Sequence, residues 1–192
     1  MTGHGFSRAA TDVRKGLGFS PCMSQPSRNA SPESILGSQR VFFATTKTSM
    51  GQHLLQSERN AGLMIDVLRS LVAEHRFHMH DFVIMPDHVH LLIEVSSEMT
   101  VEKAMQLIKG RFSYRLAKEF GFKGEVWQRG FSEEQVMNGQ GMEKCRAYIA
   151  GNPVKAGLSD SAQEYPYCYT FLANRKAAGA KARVDLDGLR HD

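Results

Sequence analysis

The segment His88–Val95 alternates without a break. Val89, Leu91, Ile93 and Val95 fall on one side of an extended chain; His88, His90, Leu92 and Glu94 fall on the other. Successive strand residues project to opposite faces, so this period of two demands a strand with one face on a core. Pro86-Asp87 stands just before it, and Pro suits the second position of a type I turn. Phe77–Met85 then reads as the partner strand of a hairpin. Pro cannot supply the positive φ of a two-residue primed turn, so the connection must be longer.

The rest of the chain supplies what such a hairpin needs to pack against. Arg40–Thr48 is β-branched and aromatic and predicts a strand. His53–Glu74 repeats apolar residues every three or four positions and predicts an amphipathic helix. Thr100–Glu119 does the same through Val101, Ala104, Met105, Ile108, Phe112 and Leu116. Thr100 is its N-cap, and Lys103 stands where a capping box would place Glu. Glu125–Gln128 predicts a short strand, and Glu143–Gly151 a short helix stopped by Asn152-Pro153. The order β-α-β-β-α-β fits an α+β, ferredoxin-like sandwich: an antiparallel sheet with two helices on one face. A last helix follows, and the second sheet face is expected to be free as a working surface.

Domain organisation follows from composition. At 192 residues and 42% hydrophobic content the chain can bury one core. Residues 1–38 are Ser-, Gly- and Arg-rich without periodicity and are expected to form a disordered tail; 39–173 is the domain. Residues 174–192 are Ala/Gly/Lys-rich and are expected to be loosely ordered. Three scattered cysteines without a CxxC pair argue against a disulfide framework or a thiolate zinc site. No run has the length of an apolar membrane span, and no apolar signal opens the chain, so a cytoplasmic location is expected.

The net charge of +4 is concentrated in the tails, leaving the domain neutral. Within the domain, 103–129 carries Lys103, Lys109, Arg111, Arg115, Lys118, Lys123 and Arg129 against Glu119 and Glu125. Such a window is a candidate phosphate-binding patch or simply a solvated helix face.

His88 and His90 are two apart on a strand and share a face, so both imidazoles can reach one divalent ion. Taken alone, the pair reads more readily as two surface histidines on a half-solvated strand. The residues around it narrow the choice. Met85-Pro86-Asp87-His88-Val89-His90-Leu91-Leu92 resembles the His-hydrophobic-His motif of single-tyrosine transposases. Trp127-Gln128-Arg129-Gly130-Phe131 resembles the family's next block. Tyr148-Ile149-Ala150-Gly151-Asn152-Pro153-Val154-Lys155-Ala156-Gly157-Leu158 resembles its nucleophile helix and the turn after it. The order and spacing are closest to the REP-associated tyrosine transposases, over about residues 40–170.

The resemblance implies an enzyme of DNA transposition. It would cut and rejoin single-stranded DNA beside an imperfect hairpin through a 5′-phosphotyrosine intermediate. By motif position Tyr148 would be the nucleophile, and His88, His90 and Asn152 would hold Mg²⁺ or Mn²⁺. Arg129, Lys155 and the helix residues Lys109, Arg111 and Arg115 would contact phosphates. The partner would be single-stranded or hairpin DNA, with the protein a monomer or a homodimer. The chemistry is coherent: a phenol with pKa near 10 needs help to lose its proton, and a nearby cation supplies it. Two imidazoles and an amide oxygen leave room for phosphate and suit either metal. Asp87 replaces the more usual Asn of the family, and Ser132-Glu133-Glu134 brings negative charge where the family is often basic. A domesticated descendant that grips DNA hairpins without cutting them is the other reading.

Overall fold

A computed structural model describes residues 40–187, with side-chain surroundings to residue 178; the segments expected as an N-terminal tail (1–38) and residues 188–192 lie outside that range. Four strands form one antiparallel sheet: β1 (Arg40–Lys47), β2 (His78–Ile84), β3 (His88–Val95) and β4 (Ser132–Val136), in the order β2-β3-β1-β4. With α1 (Glu58–Ala73) and α2 (Val101–Phe120) this is the ferredoxin-like arrangement that the element order demanded. The sheet is completed by α3 (Gly139–Lys155) and α4 (Tyr169–Asp187).

The alternation of β3 does what its pattern requires. Val89, Leu91, Ile93 and Val95 face a core shared with Phe42 and Ala44 of β1 and the apolar stripes of α1 and α2. Ser57 caps α1 by accepting from Asn60 N–H, and Thr100 caps α2 by accepting from Lys103 N–H. The hairpin connection is three residues, Met85–Asp87, closed by a bond from Met85 N–H to the His88 carbonyl (2.8 Å).

Several elements differ from their expected bounds. The fourth strand lies at Ser132–Val136 rather than Glu125–Gln128. Val126 and Trp127 instead plug the first core, Trp127 stacking near Phe112 and donating its indole N–H to the Lys109 carbonyl (3.1 Å). An edge strand pairs through its backbone, so the polar run Ser-Glu-Glu-Gln can fill the place. The helix expected to begin at His53 begins at Glu58, because His53–Gln56 is taken up by a turn leading to the Ser57 cap.

Pro153 does not stop α3. It sits in the last turn, where a missing N–H costs one hydrogen bond and the helix closes two residues later. Tyr169–Asp187 is helical where a loosely ordered tail was expected from 174; its Ala and Lys residues are strong helix formers.

The second sheet face is not an open surface. Phe43, Val83, Met85 and Leu92 form a second core with Cys145 and Ile149 of α3, Val136, Tyr165 and Cys168. Tyr165 donates its hydroxyl to the Ile84 carbonyl (2.8 Å), and Ile84 N–H donates to the Tyr167 carbonyl (2.9 Å), so this segment covers part of the β2 edge.

Candidate active site

The β1–β3 register places Lys47 opposite His88 and Thr45 opposite His90. Both histidines project to the α3 side. His90 is nearly enclosed, stacked on the Phe43 ring (centroids 5.4 Å, 18° between planes) and meeting the Tyr148 ring edge-on at 5.2 Å. The two imidazoles lie 4.7 Å apart, ring centre to ring centre. Tyr148 is half-buried, fixed also by an edge contact with Phe43 at 5.7 Å.

The ring nitrogens are sorted. His90 Nδ1 shares a hydrogen bond with Thr45 Oγ1 (2.7 Å), and His88 Nδ1 lies 2.6 Å from Asp87 Oδ1. His90 Nε2 is buried with no hydrogen-bond partner among the described residues. A buried nitrogen left unsatisfied is costly and calls for an explanation. Burial drives the His90 pKa down to about 3, with the neighbouring His88 adding to the effect. His90 is therefore neutral near pH 7, the form that donates a lone pair to a metal. The Asn152 side chain stands close enough to offset part of that shift, although no well-formed hydrogen bond reaches Nε2.

Asn152 lies one turn after Tyr148 on α3. Its Nδ2 donates to the Tyr148 carbonyl (2.7 Å), so the side chain is held, with its amide beside His90. Lys155 carries its ammonium 5.4 Å from the Tyr148 ring centre. The structure thus brings His88, His90, Tyr148, Asn152 and Lys155 together.

The donor set fits a divalent cation. Each histidine has its Nδ1 occupied and its Nε2 left over, the usual division between outer partner and metal. No cluster of three His, Cys, Asp or Glu side chains with metal-holding geometry exists among the described residues, so the third protein ligand would have to be the Asn152 amide oxygen.

The other expected contacts lie elsewhere. Lys109, Arg111 and Arg115 sit on α2, across the sheet from His90. Lys109 Nζ donates to the carbonyls of Gln128 (2.9 Å) and Gly130 (2.7 Å). Arg111 pairs with Glu74 at the end of α1 and donates to Ser70 Oγ (3.0 Å); Arg115 pairs with Glu119 (2.6 Å). Arg129 is exposed in the loop after Trp127. His80 occupies a bulge in β2 and meets Glu94 Oε2 at 2.8 Å.

Sequence reasoning missed Thr45, Phe43 and Lys47, which only the strand register reveals. Asp87 was visible, but only as a turn residue.

Residues 44–152 match the family described as "Transposase IS200 like". The chain is 29% identical over 94 residues to a REP-associated tyrosine transposase of Haemophilus influenzae, covering 44% of this chain and 53% of that protein. It is 36% identical over 69 residues to the transposase for insertion sequence element IS200 of Salmonella typhimurium, covering 33% and 44%. The chain thus spans about half the length of the curated relatives it matches. A solved REP-associated tyrosine transposase bound to a REP hairpin shares the fold. Its TM-score is 0.56 and its identity 23%, over 76% of this chain and 82% of that one.

Proposed function

The chain belongs to the IS200-like transposase family, and from that premise we propose that it cleaves and rejoins single-stranded DNA at hairpin, REP-like sequences with Tyr148 as nucleophile. The observation that carries this reading is the orphaned, buried His90 Nε2 beside the Tyr148 ring, 5.2 Å from centre to centre. A metal-ligating nitrogen and a tyrosine side by side are what such a reaction requires.

His88, His90 and the Asn152 oxygen would hold Mg²⁺ or Mn²⁺. When bound, that ion supplies Lewis-acid polarisation of the scissile phosphate. Thr45 and Asp87 orient the two imidazoles. The Tyr148 phenol oxygen, losing its proton, bonds to phosphorus. The bond from phosphorus to the 3′ oxygen breaks, and that oxygen gains a proton to become a 3′-hydroxyl. The 5′ phosphate is left on the tyrosine, and attack by another 3′-hydroxyl reverses the step without an outside energy source. Lys155 contributes positive charge beside the phosphate. Arg129 is free at the surface for a further phosphate contact. Lys109, Arg111 and Arg115 already hold partners within the fold and serve it first. Tyr148 meets His90 within one chain, 5.2 Å between ring centres, which supports action in cis by a monomer over a homodimer that exchanges its tyrosines.

A labelled hairpin-bearing strand incubated with Mn²⁺ should yield a covalent protein–DNA band. Tyr148→Phe should abolish it, while hairpin binding persists. A band that survives in the variant overturns the nucleophile. Tight binding with no cleavage under either metal would instead favour a hairpin-binding descendant.

A further inference from the structure

The turn after β1 carries a residue its backbone does not favour. Met50 has φ +53° and ψ +22°, and Gly51 follows at φ +66°. Two successive positive-φ residues, closed by Gln52 N–H to the Ser49 carbonyl (3.1 Å), form a primed turn. Its first central position favours Asn, Asp or Gly, because other side chains crowd the neighbouring carbonyl. Met50 is also 85% exposed, the most exposed large apolar side chain among the described residues. A lone exposed methionine is ordinary on a protein surface. One held 85% exposed on a backbone that disfavours it adds no burial to the fold and carries a conformational cost.

The turn is clamped from both sides. Thr48 N–H and Oγ1 donate to the Asp87 carbonyl at 2.8 and 2.9 Å, and Oγ1 also reaches the Gln52 carbonyl (2.6 Å). Ser49 N–H donates to the Val126 carbonyl (2.9 Å), and its hydroxyl to Glu125 Oε2 (2.9 Å). The turn is therefore fastened to Asp87, the residue that orients His88, and to the buried Val126–Trp127 plug. Three residues before Met50, exposed Lys47 stands opposite His88, and its charge is felt at His90. Met50 is thus an exposed apolar projection on a fastened turn, two residues beyond Thr48, which is bonded to Asp87, and three beyond Lys47, which pairs with His88.

We propose that Met50 is a wedge that stacks on a nucleobase next to the phosphodiester attacked by Tyr148, splaying the strand where it leaves its hairpin, with Lys47 on an adjoining phosphate. Apolar side chains inserted between bases unstack them, and such stacking tolerates any sequence. The inference rests on the DNA-cleaving reading above and adds the group that presents the strand.

Met50→Asn and Met50→Gly both suit the turn, so they separate the wedge from folding; Met50→Leu keeps apolar bulk. The probe is a single strand with an imperfect hairpin and 2-aminopurine at each nucleotide flanking the hairpin foot. The wild-type protein should raise fluorescence at one or more of these positions on binding. The Asn and Gly variants should melt no lower than wild type, lose that rise, and form the Tyr148 adduct about tenfold more slowly. The Leu variant should stay within about threefold of wild type. A rise and an adduct rate that survive in the Asn and Gly variants overturn the wedge, as does a lowered melting temperature in both. Adduct formation by wild type with no rise at any position overturns the wedge alone. A wild-type protein that neither binds nor forms the adduct overturns the parent reading and the wedge with it.

Discussion

Asp81 lies buried at the bulge of β2, where its Oδ1 accepts the Phe82 N–H (2.8 Å). Burial pushes its carboxyl up to about 6; the Phe82 bond and the charge of Arg146 offset only part of the effect. The sign follows from proton counting. Between the unfolded value of 3.8 and the folded value of about 6, the folded chain keeps a proton that the unfolded chain has released. Stability therefore falls as pH rises through that window, and the penalty is fully present above it. Asp81→Asn keeps an oxygen for Phe82 and removes the penalty. Denaturant titrations should show the variant more stable by about 1–2 kcal/mol at pH 7.5 and equal to wild type near pH 3.5. A gain of the same size at both pH values would mean that charge is not the cause. Single residues of this kind show how far the chain could be read in advance. Tyr148, His88 and His90 were legible because each sits in a local motif. Thr45 and Phe43 were not, since nothing within ten residues of either marks them; the β1–β3 register alone brings them to His90.

At the level of elements, α2 separates basic composition from basic function. Its cations recur on one stripe, which in sequence looks like a phosphate track. Folded, Lys109 ties the 128–130 loop to α2, and Arg111 ties α2 to α1. Side-chain pairing of this kind depends on which helices become neighbours, so no count along one helix discloses it. Among the described residues, Lys155 on α3 has only the Tyr148 ring against its ammonium. The two lysines should then differ in kind. Lys109→Ala should lower stability by about 1 kcal/mol, through two lost hydrogen bonds at a partly exposed site. It should leave the salt dependence of single-strand binding unchanged. Lys155→Ala should leave stability nearly unchanged and reduce the slope of log affinity against log salt by about 0.7. Equal slopes for wild type and Lys155→Ala would remove that lysine from the interface. The misplaced fourth strand has a related cause. β4 is a mostly polar edge element that pairs with β1 through its backbone and gives only Val136 to a core, whereas Val126-Trp127 carries the apolar signal of a strand and spends it as a core plug.

The whole molecule is one sheet between two cores, and only one of them bears on chemistry. The helix-side core of α1 and α2 stabilises the sheet. The second core docks α3, which carries Tyr148 and Asn152 to histidines on β3. Two isoleucines allow the cores to be weighed against each other. Ile108 of α2 is 0% exposed in the first core, and Ile149 of α3 is 1% exposed in the second, directly after Tyr148, the proposed nucleophile. Truncating either to alanine should cost about 2–5 kcal/mol through lost burial and a cavity. Below the melting temperatures of both variants, their cleavage should nevertheless diverge. Ile108→Ala should form the covalent adduct at close to the wild-type rate. Ile149→Ala lets α3 shift against the sheet, and a displacement of about 1 Å at the reacting group can slow a reaction about a hundredfold. Melting curves paired with single-turnover adduct rates make the comparison. Equal rates in the two variants would show that α3 is positioned by something other than the packing of Ile149, leaving the Phe43–His90–Tyr148 ring contacts as the remaining candidates.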